Sequence, residues 1–285
     1  MKTQKFVLIA AAILIGLTQV QSETANALHF DSVDDAINCG NSTSIQITGS
    51  IITLEVIIKF NAFRDNVWQG NIINKGASGP YSGYMLRAGD DGKLNFNIGN
   101  GSWNELNTNS NTVSTDVWCH IVATYHRNYM KIYLDGVEVA SRHVVGVNIY
   151  DNSANLTISN WSQSGDRHVN ATIDEIRVWN ITRTPAEIAA NTSSELTTPQ
   201  TGLVLYYKFN QGVPGGNNTN ETNAIDETGN NNGTLSNFTL NGVTSNWVME
   251  STLPIPEHNN NTALDLFPNP ATSNIQVKGL QHTEN

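Results

Sequence analysis

The sequence predicts an all-β fold, an antiparallel sandwich or barrel, and three observations predict it. First, Ile52, Leu54, Val56, Ile58 and Phe60 fall on one face of a nine-residue stretch, the period-two alternation of a half-buried strand. Second, Met130–Leu134 and Val137–Ala140 flank Asp135-Gly136, and Asp-Gly supplies the positive φ angles of a two-residue hairpin turn. Third, short strand-like runs separated by turn signals continue from Ala27 to about Trp179, as expected of antiparallel sandwiches and barrels.

The elements follow in order. Lys2 and Lys5 precede the apolar run Phe6–Leu17, which is shorter than the ~20 residues of a comfortable membrane span. With Val20-Gln21-Ser22 behind it, this reads as a secretory signal peptide, residues 1–22, cut after Ser22. Asp91-Gly92 before Lys93–Ile98 marks a second tight turn, and Ile121–Tyr125 and Thr172–Trp179 are further strands. Thr184-Pro185-Ala186-Glu187 is a capping box with proline at the first helical position, so one short helix begins there. Leu203–Phe209 is a strand, followed by an Asn/Gly-rich stretch that reaches Trp247. Pro254-Ile255-Pro256 and Asn259–Asn261 lie in a linker, residues 251–263.

Composition narrows the function. The chain has 285 residues and a net charge of −10, and only 14% of its residues are charged. It holds 39 asparagines. Loss of Lys2 and Lys5 with the leader moves the balance from −10 to −12. Such a chain carries no sequence-wide electrostatic footprint for nucleic acid or an anionic membrane. Two cysteines exclude a disulfide-dense scaffold, but an oxidising compartment would allow Cys39 and Cys119 to pair across neighbouring strands.

Three ordered segments carry a resemblance. They are Ala27–Asp35, Trp118–Tyr125 leading into Tyr133–Gly136, and Ile173–Asn180 with Arg183 and the Pro185 helix. Together they resemble the bacterial laminin G-like, concanavalin A-like family. The resemblance implies a two-sheet jelly-roll sandwich over residues 23–200. Residues 201–250 look like an extension packing on it. Leu264–Ala271 with Ile275-Gln276-Val277 is similar to the start of a type IX secretion sorting domain, here cut short at residues 264–285. That similarity implies an incomplete chain or gene fragment, the type IX machinery as a partner and a place outside a Gram-negative cell, secreted or on the outer surface.

The candidate chemistry is of three kinds. Calcium takes six to eight oxygen ligands. The resemblance places one structural calcium where the opening strand meets a late strand, and implies Asp31, Asp34 and Asp174 as its ligands. Glycoside hydrolysis needs two carboxyl groups facing one cleft. Asp174 and Glu175 are adjacent, so simple alternation points them to opposite faces and leaves no catalytic pair. No catalytic residue is therefore assigned, and the enzymatic alternative is a polysaccharide hydrolase or lyase of the same fold. A purely structural surface module is a third reading. Aromatic faces stack on sugars, and amides supply donors and acceptors. Trp68, Tyr81, Tyr84, Trp103 and Trp161 in loop-rich segments make the expected activity glycan recognition or adhesion, with a cell-surface polysaccharide as partner.

Overall fold

A computed structural model describes residues 24–251 and the two-residue strands 266–267 and 276–277. The leader, nearly all of the linker and most of the sorting segment lie outside the described residues. In chain order the strands are β1 (Thr24–Asp31), β2 (Ala36–Asn38), β3 (Ile51–Ala62), β4 (Asn71–Asn74), β5 (Tyr81–Gly89), β6 (Lys93–Gly101), β7 (Trp103–Asn107), β8 (Trp118–His126) and β9 (Tyr129–Leu134). They continue as β10 (Val137–His143), β11 (Thr157–Ile158), β12 (Asn170–Trp179), β13 (Leu203–Tyr207), β14 (Asn223–Ala224), β15 (Gly233–Ser236), β16 (Trp247–Ser251), β17 (Leu266–Phe267) and β18 (Gln276–Val277). One α-helix, α1 (Pro185–Ala190), lies between β12 and β13.

Two eight-stranded antiparallel sheets form the sandwich. The front sheet runs β10-β9-β8-β3-β12-β1-β16, with β13 also paired to β12. The back sheet runs β14-β15-β2-β11-β4-β5-β6-β7. The far edge of β12 is shared: β1 pairs its first half, Leu28 opposite Ile173, and β13 its second half, Ile176 opposite Tyr207. Residues 203–251 thus place strands in both sheets, since β15 pairs β2 and β16 pairs β1.

The alternation of β3 decides what the sheets bury. Ile52, Leu54, Val56, Ile58 and Phe60 all point into one cluster with Ile121 and Tyr125 of β8 and Ile173, Ile176 and Val178 of β12. Tyr84, Leu86, Phe96 and Ile98 close it from the back sheet. Each such side chain contributes roughly 1.5–3 kcal/mol over leaving it exposed. The β9–β10 hairpin turns at Asp135 (φ 49°) and Gly136 (φ 82°), the left-handed pair that the Asp-Gly sequence supplies.

The outer face of the front sheet is covered too. Helix α1 has its capping box: Glu187 N–H donates to Thr184 Oγ1 (3.3 Å), and Thr184 N–H donates to Glu187 Oε2 (2.7 Å). Ile188 packs on Val122 and Tyr133. Beneath the segment after the helix lies a buried charged cluster. Glu55 accepts from Arg177 Nη1 (2.6 Å), His120 Nε2 (2.8 Å) and Trp179 Nε1 (2.9 Å). Arg177 also pairs with Glu175 and donates to Ser194 O (2.6 Å), and Tyr206 donates to Glu175 Oε1 (2.8 Å). Burial alone would raise Glu55, but Arg177 and the donors outweigh it and hold the carboxyl at about 2.

Two expectations are corrected. Cys39 and Cys119 form no bridge; both are free and buried. Cys39 follows β2 of the back sheet, while Cys119 sits on β8 of the front sheet and donates to Ile58 O (3.4 Å). The two are therefore not on neighbouring strands. The alternation of β12 also breaks. A bulge lies between Ile173 and Glu175, which oppose Ile58 and Ile57. Asp174 is the extra residue, and Glu175 and Arg177 face away from the core while Ile176 and Val178 enter it.

Candidate functional site

The back sheet carries the other half of each strand's alternation on its outer face. On β6, Leu94, Phe96 and Ile98 enter the core, leaving Asn95 and Asn97 outside. On β5, Leu86 and Ala88 enter the core, leaving Met85 and Arg87 outside. The result is a row of amides bonded to one another. Arg87 Nε donates to Asn95 Oδ1 (2.9 Å), Asn95 donates to Asn107 Oδ1 (2.7 Å), and Asn97 donates to Asn95. Asn74 donates to Asn71 Oδ1 (2.6 Å) at the other side of the row. These bonds pair most of the strip's amides, which allows it to be buried, while Asn97 Oδ1 is buried without a hydrogen-bond partner among the described residues.

Aromatic side chains lie over and beside this strip. Tyr81 and Trp103 pack with ring centroids 5.4 Å apart. Trp161 Nε1 donates to Gly76 O (2.6 Å). A Cβ on Gly76 would stand 2.8 Å from Met85 Sδ and 3.0 Å from Trp103 Cη2, so glycine lets Trp103 settle there. The guanidinium of Arg167 lies 4.2 Å from the Trp161 ring and 4.8 Å from the Trp68 ring. Asn71 ties the loop down by donating to Trp68 O (3.3 Å) and, through its N–H, to Arg167 O (3.3 Å). Trp68 and Tyr81 are 44% and 45% exposed, so ring area faces solvent at both ends of the run. Of the five aromatics picked from sequence, Trp68, Tyr81, Trp103 and Trp161 are thus gathered here. Tyr84 is corrected: it is buried in the core and its hydroxyl donates to Ile45 O (2.9 Å).

At one margin the turn after β1 gathers acids. Oxygens of Asp31, Asp34 and Asp35 lie within 4.8 Å of one another. Asp31 N–H donates to Asp35 Oδ2 (3.0 Å), Ser245 Oγ donates to Asp35 Oδ1 (2.7 Å), and Val33 N–H donates to Asp31 Oδ1 (2.8 Å). Burial pushes Asp35 up to about 7, with the neighbouring Asp31 and Asp34 charges adding to it against those two hydrogen bonds. Asp174 is corrected as a member of this group. It occupies the bulge, four positions beyond Asn170, which is Asp31's partner. It is buried, with its carboxyl raised to about 7 by burial and by the Glu195 charge, against Arg177. Asp35, which belongs to the same acidic run in the sequence but is not among the ligands the resemblance implies, takes its place. The only signal was its position beside Asp34. A groove of about 580 Å³ begins at this turn, lined by Asp34, Asn38, Thr157, Asn160, Asp166, His168 and Asn237 among others.

Glu55, Asp174 and Glu175 are each at most 4% exposed. Among the described residues no helix is long and apolar enough to cross a membrane.

The fold is that of jelly-roll domains of the lectin type. The sequence profile of a laminin G-type branch of the concanavalin A-like lectin/glucanases superfamily matches residues 31–189, and the chain belongs to that family. A protein of Bacteroides ovatus assigned as carbohydrate-binding has a similar structure, with TM-score 0.58 and 23% identity over 75% of this chain. This chain spans 58% of that protein's length. The binding domain of Paraclostridial Mosquitocidal Protein 1 aligns with TM-score 0.45 and 14% identity, over 59% of this chain and 46% of that one. A pentraxin of Limulus polyphemus aligns with TM-score 0.39 and 16% identity, over 56% and 82%. No curated protein matches the chain.

Proposed function

We propose that this chain is a non-catalytic carbohydrate-binding module whose ligand lies along the outer face of the back sheet. The observation that carries the reading is the gathering of Trp68, Trp161, Trp103 and Tyr81 around one strip of amides. Sugar rings stack on exposed aromatic faces, and a scaffold of paired strands holds those faces in place. The test is a glycan array with the full chain, beside the Trp68→Ala and Trp161→Ala variants. Each variant is expected to lose roughly three- to tenfold in affinity, as for an aromatic contact worth about 0.5–1.5 kcal/mol. If the folded chain binds no glycan, the reading fails.

Calcium remains part of the proposal, at Asp31, Asp34 and Asp35. Three carboxylates converge there without an ion pair to a cation within 4 Å among the described residues, and their all-oxygen donor set suits calcium. Backbone carbonyls and water would complete it. Binding would stabilise the folded chain, so thermal melts in calcium should lie above melts in chelator; coincident melts refute the site. The leader and the sorting-like segment support work outside the cell after export by the type IX machinery.

A further inference from the structure

The proposed binding face contains two arginines that form no ion pair within 4 Å among the described residues. Arg87 is 6% exposed, and its only hydrogen bond among the described residues is from Nε to Asn95 Oδ1, which leaves both terminal nitrogens without a bonded acceptor. Arg167 stacks between Trp68 and Trp161 and gives no hydrogen bond from its guanidinium among the described residues. Neither forms an ion pair within 4 Å there, and both sit in a chain of net charge −10. The two feel each other: Arg87 is lowered to about 10 by burial first, Glu105 opposes this, and the Arg167 charge adds to the lowering. Glu105 is exposed at the β7 edge. Geometry brings the two arginines together: Arg87 stands opposite Asn71, whose N–H donates to Arg167 O (3.3 Å), so two like charges flank Asn71 beside the rings with donors unused, an arrangement that an anion would relieve.

We infer that Arg87 and Arg167 form an oxyanion subsite, so the ligand class is an acidic glycan bearing a carboxylate or a sulfate. This rests on the carbohydrate-binding reading and sharpens it. A guanidinium presents a planar fork of donors that matches such groups, while the sugar ring stacks on the tryptophans. Loops separated by about a hundred positions build the subsite, since Arg167 belongs to the loop between β11 and β12 and Trp68 to the one between β3 and β4.

The test is titration of the full chain with a short oligogalacturonate, its methyl ester, dextran sulfate and dextran. The oligogalacturonate should bind at least roughly tenfold more tightly than the uncharged ester, and Arg167→Met should remove most of that difference. Arg87→Met should do the same; because Arg87 is buried, its unfolding midpoint is measured alongside, and Arg167→Met on the half-buried loop decides if that variant does not fold. Binding of dextran sulfate with the same arginine dependence would support the subsite and assign it to sulfate. Equal affinity for charged and uncharged sugars, or an unchanged Arg167→Met, overturns the inference. Neutral glycans bound on the array with neither acidic ligand bound would overturn it alone. No glycan of either kind bound by the folded chain would overturn the carbohydrate reading as well.

Discussion

Replacing Glu55 by glutamine should unfold this protein at markedly lower denaturant concentration. The carboxylate accepts three buried donors, Arg177 Nη1 at 2.6 Å, His120 Nε2 at 2.8 Å and Trp179 Nε1 at 2.9 Å. A glutamine keeps one acceptor oxygen and turns an NH2 toward a donor. Arg177, 0% exposed, retains Glu175 but loses half of its compensating charge. Removing one member of a buried ion pair costs roughly 3–5 kcal/mol, against a whole-domain stability of roughly 5–15 kcal/mol. For a domain of this size that is a fall in melting temperature of roughly 6–20 °C. Urea unfolding of the wild type and of Glu55→Gln at pH 7 measures it. A pH series adds a second reading. The folded carboxyl is held at about 2, below its ordinary value, so its contribution is complete above the unfolded value and is lost as pH falls toward 2. The variant should lack that part of the acid sensitivity. A loss below about 1 kcal/mol at pH 7, with the acid limb unchanged, would refute the view that Glu55 is the compensating charge of this buried cluster.

Other outcomes follow from single contacts. Asp174 is raised to about 7 in the folded state, so it favours folding below its unfolded value and that benefit disappears as pH rises through 7; Asp174→Asn should gain on the wild type between pH 5 and pH 8 in urea midpoints, and parallel curves would contradict the assignment. Cys39 and Cys119 are free and buried, and burial raises both thiols, Cys39 to about 12. A thiol reagent should count none in the native chain and two after unfolding, and no thiols after unfolding would mean a bridge. Gly76→Ala forces a methyl against Met85 and Trp103, so glycan affinity should drop by several-fold with the fold retained; unchanged affinity would remove Trp103 from the face.

Local patterns in the sequence were enough to read β3, the Asp135-Gly136 hairpin and the Thr184 capping box, because each is decided by residues a few positions apart. Leu94-Asn95-Phe96-Asn97-Ile98 was equally readable: its alternation already puts two asparagines on the outer face. The bulge at Asp174 was not readable, since one extra residue reverses every later position without changing composition. Cysteine pairing depends on which sheet each strand joins, which local pattern does not encode. The stacking of Arg167 between Trp68 and Trp161 depends on two loops meeting across the fold, and no spacing rule anticipates it.

The pairing of β1 with β16 sets how the domain would bear load. Thr24 lies opposite Ser251, so the chain enters and leaves at one corner of the front sheet. Tension on the segment that follows Ser251 would open this pair from its end, one hydrogen-bonded step at a time, instead of shearing the whole strand. The back sheet lies outside that path. A bound polymer pulling on Trp68 and Trp161 would instead load strands buried within the sandwich. The weak point under stress is then the attachment to the flanking chain and not the grip on the ligand.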